Sequence, residues 1–131
     1  MQAIYQWQLT GQHPKDILAQ FQEGEEMKSA DPDYFRELLY EVVERHAALD
    51  SLIEPYIDRK TMAEVDPVER AILRIAVYEL EQRLDVPYRV AVNEAIELTK
   101  KFGAEKAHTF VNGVLDKLAQ NLRKAEVSLG R

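Results

Sequence analysis

The stretch DPVERAILRIAVYEL, residues 66–80, decides the fold class of this chain. Asp66 can cap a helix, and Pro67 suits the first helical position, where its missing N–H costs nothing. In the segment from Val68 to Leu84, apolar residues occupy more than one face of that helix. They are Ile72, Leu73, Ile75, Val77 and Leu80. Because a helix that is apolar around much of its circumference is usually central, the sequence predicts a buried central helix.

The chain before this stretch predicts three more helices. Asp31-Pro32 repeats the cap-proline signal, and the helix that it opens should end near Glu54-Pro55. One face of this helix should be formed by Phe35, Leu38, Leu39, Val42, His46, Leu49 and Ile53. Residues 3–9 predict the end of a helix that closes at Thr10-Gly11, with Gly11 in the left-handed position. Pro14 predicts the start of a short helix whose apolar side is Ile17, Leu18 and Phe21.

Two helices are predicted after the central one. The first should begin at Pro87 after Asp85 and stop at Gly103, with Lys100 and Lys101 complementing the negative end of its dipole. Its apolar residues are Val90, Ala91, Ala95, Ile96, Leu98 and Phe102. The last helix should run from Ala104 to Lys124, with a stripe of Val111, Val114, Leu115, Leu118 and Leu122. The sequence therefore predicts an all-α bundle of six or seven helices, because short connections make neighbouring helices fold back on each other.

Composition limits the function classes. The chain has 131 residues, typical of one domain, and 46% of them are hydrophobic. It has no cysteine, which excludes disulfides, zinc-thiolate sites and thiol nucleophiles. No apolar run approaches a membrane span and the start lacks a signal peptide, so we expect a cytoplasmic protein. The net charge of −6 argues against a non-specific nucleic-acid binder, so any nucleic-acid contact must be local.

The sequence favours a binding protein over an enzyme. His13, His46 and His108 lack the spacing of metal ligands, and no phosphate-binding glycine loop or Ser/His/Asp set is evident. We therefore expect no catalytic residue, no metal and no cofactor. Asn93 and Asn112, which fall within predicted helices, are predicted to form hydrogen bonds between helices.

Five stretches together resemble the NusB family of bacterial transcription antitermination factors. They are QAIYQWQL at 2–9, YFRELL at 34–39, DPVERAILRIAVYEL at 66–80, DVPYRVAVNEAIELTKKFGAE at 85–105 and FVNGVLDKLA at 110–119. Their order and spacing are close to those of the family, and they cover nearly the whole chain. The same fold also occurs as the RNA-binding N-terminal domain of certain ribosomal-RNA cytosine methyltransferases.

The resemblance implies one NusB-like domain over residues 1–131, built from two packed three-helix subdomains. It also implies a partner, the small-subunit ribosomal protein NusE, with which the family binds boxA RNA of ribosomal-RNA transcripts in the RNA polymerase antitermination complex. Family members carry an arginine-rich stretch before the position of Met1. We therefore expect a shortened first helix, and also flexible last residues. Two alternatives remain open: a homodimer, and a helical protein-interaction module with little independent RNA binding.

For RNA, the resemblance points to Tyr5, Lys106 and Phe110. Phe110 is one residue ahead of the Val111 stripe, about 100° around the helix, so it can either stack an RNA base or fill a groove against a neighbouring helix. Tyr5 allows the same two interpretations. Residues 103–110 read GAEKAHTF where the family commonly has GAEDSHKF, so Lys106 replaces an acid. We hypothesise that this exchange partly compensates for the missing arginines.

For the protein partner, the resemblance points to Tyr56, Arg59 and Glu69. Tyr56 and Arg59 follow Pro55 in the connection before the central helix. Glu69 lies early in that helix, where it either interacts with the positive end of the dipole or binds NusE, and one residue can do both. Trp7, by contrast, is predicted to pack in the core.

Overall fold

The structure, a computed structural model, describes residues 1–22, 31–58 and 61–129. The described part contains seven α-helices, namely α1 (Gln2–Thr10), α2 (Pro14–Phe21), α3 (Pro32–Ile53), α4 (Pro67–Gln82), α5 (Tyr88–Phe102), α6 (Ala107–Leu122) and α7 (Lys124–Leu129). Two short 3-10 turns, Glu54–Tyr56 and Met62–Glu64, lie between α3 and α4. The predicted all-α class is confirmed. Arg59 and residues 130–131 lie outside the described residues.

The helix ends carry the local signals that the sequence predicted. The Asp31 carboxylate accepts hydrogen bonds from the backbone N–H groups of Asp33 and Tyr34, and Asp66 caps α4 in the same way. Gly11 has φ of 70° and its N–H donates to the carbonyl of Trp7. These bonds satisfy backbone groups that a helix end leaves unpaired.

Six of the seven described helices form two groups of three, which α4 connects. Helices α1, α2 and α3 contact one another, as do α4, α5 and α6, and α4 also contacts α1 and α3. Every residue of α4 from Ala71 to Leu80 is buried, which confirms the predicted central helix. No helix in the described part of the chain is long and apolar enough to cross a membrane.

Three predicted helix boundaries were wrong. Helix α6 begins at Ala107 rather than at Ala104. The other two lie at the end of α4 and within the predicted last helix. Helix α4 ends at Gln82 rather than Leu84, and Leu84 is 69% exposed. The predicted last helix is split into α6 and α7 at Arg123, whose φ of −127° leaves the helical region. Both differences have one cause, because the buried Arg123 side chain binds the backbone carbonyls at the end of α4.

The outward face of α5 was also predicted incorrectly. Val90 and Phe102 are 42% and 37% exposed, whereas Val92, which was left out of the predicted face, is buried. Helix α5 turns Ala91, Val92, Ala95 and Thr99 towards the core, and this leaves Val90 and Phe102 at its edge. Asn93 and Asn112 are exposed, so the predicted hydrogen bonds between helices were wrong for both.

Candidate functional site

Phe110 and Glu69 lie in one groove. A cavity of about 530 Å³ between α6 and the start of α4 is lined by Glu64, Val65, Asp66, Glu69 and Phe110. Phe110 is half-buried and packs against the hydrophobic core beside it. The structure thus brings together an aromatic residue that the family resemblance assigns to RNA and an acidic residue that it assigns to a protein partner.

This groove, the acidic groove of Glu64, Asp66, Glu69 and Phe110, carries three carboxylates. Two of them also order the local backbone. Glu64 accepts hydrogen bonds from the N–H and hydroxyl of Thr61, at 3.1 and 3.2 Å, and Asp66 accepts one from the N–H of Val68 at 2.9 Å. Because like charges repel, an RNA phosphate entering the groove would be disfavoured. A positively charged group is the ligand that suits it.

The N-terminal end of α6 has the opposite character. Lys106 is exposed, occupies the N-cap position of α6, and the first turn of the helix contains no acidic residue. The positive end of a helix dipole attracts anions, and the lysine adds a full charge there. Lys106 precedes Phe110 by four residues, so about 6 Å along the helix axis separates this anion-attracting end from the acidic groove.

Lys106 has a backbone conformation that lysine rarely adopts. Its φ of 69° lies in the left-handed region, which disfavours residues other than glycine and asparagine. A cation at a helix N-terminus is also unfavourable by about 0.3–1 kcal/mol. Both terms act against lysine at this position, so folding alone does not explain it.

Tyr5 is half-buried on α1 and packs against the core. Helix α1 packs against α2, α3 and α4, whereas α6 packs against α3, α4, α5 and α7. Helix α1, which carries Tyr5, and helix α6 therefore both pack against α3 and α4.

Tyr56 occupies a different position from Glu69. Its hydroxyl accepts a hydrogen bond from the side-chain amide of Asn121, which joins the 3-10 turn after α3 to α6. Asn121 is eleven residues beyond Phe110, so this contact lies about 16 Å from Phe110 along the axis of α6. The structure therefore places Tyr56 near the far end of α6 from the acidic groove.

Lys101, which was predicted to complement the helix dipole, lies in the last turn of α5, and both Lys101 and Phe102 are exposed there. The Lys101 ammonium lies 5.2 Å from the centroid of the Phe102 ring. In the sequence, the run Lys100-Lys101-Phe102 indicates this exposed surface, because it combines cations with an aromatic ring immediately before a glycine.

Comparison with known proteins agrees with this architecture. The NusB family model matches residues 1–120. The chain belongs to the NusB family. The chain is 50% identical over 133 residues to the transcription antitermination protein NusB of Marinomonas sp., covering 100% of this chain and 76% of that protein.

Other NusB proteins show the same relationship. The chain is 52% identical to the transcription antitermination protein NusB of Pseudoalteromonas atlantica over 98% of its length and 91% of that protein. The solved structure of T. maritima NusB superposes with a TM-score of 0.82 at 29% identity, covering 91% of this chain and 84% of that one. The resemblance predicted from the five sequence stretches is confirmed.

Proposed function

We propose that this chain is a transcription antitermination factor that binds boxA RNA together with NusE, within the RNA polymerase antitermination complex in the bacterial cytoplasm. The observation that carries the proposal is 50–52% identity, over nearly the whole chain, to proteins named transcription antitermination protein NusB. In this proposal Tyr5, Lys106 and Phe110 contact RNA, while Tyr56, Arg59 and Glu69 contact NusE. The function is binding, without a chemical step.

The basic end of α6 supports the RNA half of the proposal. Lys106 and the positive end of the α6 dipole together offer a site for a phosphate group. In a chain with a net charge of −6, such a local site allows RNA binding without a generally basic surface. RNA affinity should therefore depend strongly on a few contacts and on salt.

The acidic groove supports the partner half. Its three carboxylates suit basic side chains of a protein, which would neutralise them on binding. Once they are neutralised, an RNA strand held by Lys106 could place a base on Phe110 without repulsion of its phosphates. The partner would thus raise RNA affinity through electrostatics, and RNA would by linkage raise partner affinity equally.

A second candidate function is a protein-interaction or homodimerisation module with little independent RNA binding. The three carboxylates beside Phe110 favour it, because they repel RNA phosphates and leave Phe110 as a contact for protein. In the first candidate function, the protein partner raises the affinity for RNA. In the second, the chain binds a protein partner and has little affinity for RNA.

A boxA RNA titration separates the candidates. The full chain is titrated with and without NusE, at two salt concentrations. We expect tighter binding with NusE and a negative slope of log K against log salt. If the chain binds NusE but neither the chain nor its NusE complex binds boxA RNA, the interaction-module function replaces the antitermination proposal. Sedimentation of the free chain reports a homodimer directly.

Lys106→Asp should weaken boxA binding by about tenfold or more, because a hydrogen bond to a charged group contributes roughly 1.5–3 kcal/mol and the new acid repels phosphate. Fold disruption would not explain such a loss. Asp tolerates the left-handed conformation better than lysine and interacts favourably with the helix N-terminus, so the free energy of unfolding should rise slightly. Fluorescence anisotropy with boxA RNA measures the affinity. Lys117→Asp, at another exposed α6 lysine, is the matched control, and unchanged binding of Lys106→Asp would contradict the assignment.

Glu69→Gln should weaken NusE binding by about tenfold, since a charged partner group in the groove would lose roughly 1–2 kcal/mol of interaction. The substitution keeps the shape of the side chain, and calorimetric titration with NusE measures the change. Asp33→Asn is the control, because Asp33 also lies in the first turn of a capped helix but outside the groove. Equal effects of the two variants on NusE affinity would show that Glu69 acts only on the helix dipole.

A further inference from the structure

A second cavity, of about 220 Å³, lies where α3 and α5 pack on α4. Its walls are mainly apolar and include Leu38, Ile72, Ala76, Ala91 and Ala95. It shares no lining residue with the acidic groove at the start of α4. Pockets for drug-sized ligands measure about 300–1,000 Å³, so this cavity suits a smaller molecule.

A buried carboxylate lines this cavity. Glu79 is only 7% exposed, and its Oε2 atom accepts a hydrogen bond from the Tyr34 hydroxyl. A hydroxyl is neutral and leaves the negative charge of the carboxylate in place. Because a buried charge is costly unless an opposite charge pairs with it, a cationic ligand in the cavity would stabilise Glu79.

A second carboxylate adds to this negative charge. Glu94 lines the same cavity from α5 and is exposed, so it lies at the mouth of the cavity. Burial raises the pKa of Glu79, and the charge of Glu94 raises it further. The Tyr34 hydroxyl, the Arg83 guanidinium and the Met1 amino group lower the pKa, yet it stays above its ordinary value of 4.5. The surrounding protein groups therefore do not fully compensate the charge of Glu79.

We propose that this cavity binds a short linear diamine of the 1,4-diaminobutane type, with one ammonium on Glu79, the other on Glu94 and the methylene chain against the apolar walls. The second carboxylate favours a diamine over a monoamine. The apolar walls favour an alkyl chain over a metal ion such as Mg²⁺, which loses its water ligands reluctantly. This site is independent of the RNA and NusE contacts proposed above.

Calorimetric titration of the full chain with 1,4-diaminobutane, at fixed ionic strength, tests the site. The parent should bind the diamine more tightly than n-butylamine or Mg²⁺. Glu79→Gln keeps the shape of the side chain and should lower the affinity for the diamine by about tenfold or more. Glu94→Gln should lower it by about 2- to 5-fold and leave the affinity for n-butylamine unchanged. Glu97→Gln is the matched control, at an exposed carboxylate of α5 outside the cavity.

Two further measurements locate the ligand. Carbon-13 methyl spectra of the parent need no variant: the signals of Ala91 and Ala95 should shift on adding the diamine, and that of Ala119 on α6 should not. Because a ligand of the folded state raises the unfolding temperature, the diamine should stabilise the parent but not Ala95→Leu, whose larger side chain fills the cavity.

Circular dichroism of the free variants shows whether each one is folded. Equal diamine affinity of the parent and folded Glu79→Gln would overturn the site, because binding would then be unspecific attraction of a dication to a chain with a charge of −6. Methyl signals of Ala91 and Ala95 that do not move at saturating diamine would overturn it as well, whether or not the variants fold. Neither result would affect the proposed RNA and NusE binding, which is measured without diamine.

Discussion

Arg123→Ala is expected to lower the free energy of unfolding by about 3–5 kcal/mol, the cost of removing one partner from a buried charged network. Arg123 is 5% exposed. Its Nε atom donates to the carbonyl of Leu80 at 2.7 Å, and its Nη2 atom donates to the carbonyls of Glu79 and Arg83 at 3.1 and 2.9 Å. One side chain thus binds three carbonyls at the end of α4, and those of Glu79 and Arg83 also accept the backbone N–H groups of Arg83 and Val86, at 3.0 Å each.

The same arginine connects two helix ends. Its Nη1 atom donates to the carboxylate of Glu126, and the other oxygen of that carboxylate accepts the N–H of Tyr88 at 2.8 Å, in the first turn of α5. Pro87, the N-cap residue of α5, provides no side-chain acceptor. The pair of Arg123 and Glu126 therefore caps the end of α4 and the start of α5. This explains why the helix is interrupted between α6 and α7.

Urea unfolding monitored by circular dichroism measures the effect of Arg123→Ala. Arg45→Ala is the control, because Arg45 forms an exposed pair with Glu41 whose loss should change the free energy by less than about 1 kcal/mol. Arg123→Lys should fall between parent and Ala, since an ammonium cannot reproduce the guanidinium fork. A free energy of Arg123→Ala within error of the parent would refute the capping role.

The cap also gives stability a pH dependence. The N–H of Tyr88, followed by the guanidinium of Arg123, lowers the pKa of Glu126 below its ordinary value of 4.5. The folded state thus binds the proton of Glu126 less readily than the unfolded state does. Its contribution is therefore present above pH 4.5 and is lost as the pH falls towards the lowered pKa. Glu126→Gln should remove this part of the acid-induced loss.

Arg74→Met and Asp50→Leu should each destabilise the chain by about 3–5 kcal/mol, because each leaves the other charge buried without its partner. Arg74 is 7% exposed and binds both oxygens of Asp50, at 2.9 and 2.7 Å. Its Nη1 atom also donates to the side-chain oxygen of Gln8 at 3.0 Å. The Gln8 amide in turn donates to the carbonyl of Pro67 at 2.9 Å, so the network joins α1, α3 and α4.

The double variant Arg74→Met with Asp50→Leu should recover much of the loss, since apolar replacement of a buried ion pair is often neutral. A double-mutant cycle in urea measures this coupling directly. Strictly additive losses in the cycle would show that the two charges do not depend on each other. The Arg74 guanidinium also lies 5.6 Å from the centroid of Trp7, whose ring packs edge-on against His46 at 5.0 Å. Trp7, which was predicted to pack in the core, is half-buried and packs against the core beside this network.

Local signals in the sequence predicted three helix ends correctly. Asp31, Asp66 and Gly11 act on backbone groups within a few residues, so their effect does not depend on the rest of the fold. The burial of α4 was predictable for a related reason. A helix with apolar residues on more than one face has no orientation at the surface that keeps all of them away from water, so it must be buried.

The errors concerned contacts between residues far apart in sequence. Val90 and Phe102 are as apolar as the residues that α5 buries, and only the positions of α4 and α6 decide which face is covered. The interruption of the last helix at Arg123 could not be predicted either, because the carbonyls that Arg123 binds lie about 40 residues earlier in the chain.

By itself, the sequence determined an all-α fold, a central helix from Pro67 onwards, and a likeness to NusB strong enough to name residues such as Glu69 and Phe110. Only the tertiary structure decided that these two residues share one acidic groove, 41 positions apart, and that Lys106 lies beyond it at the positive end of α6. The physical reason is range. Caps and helical periodicity act over a few residues, whereas burial and electrostatic fields depend on which distant segments pack together.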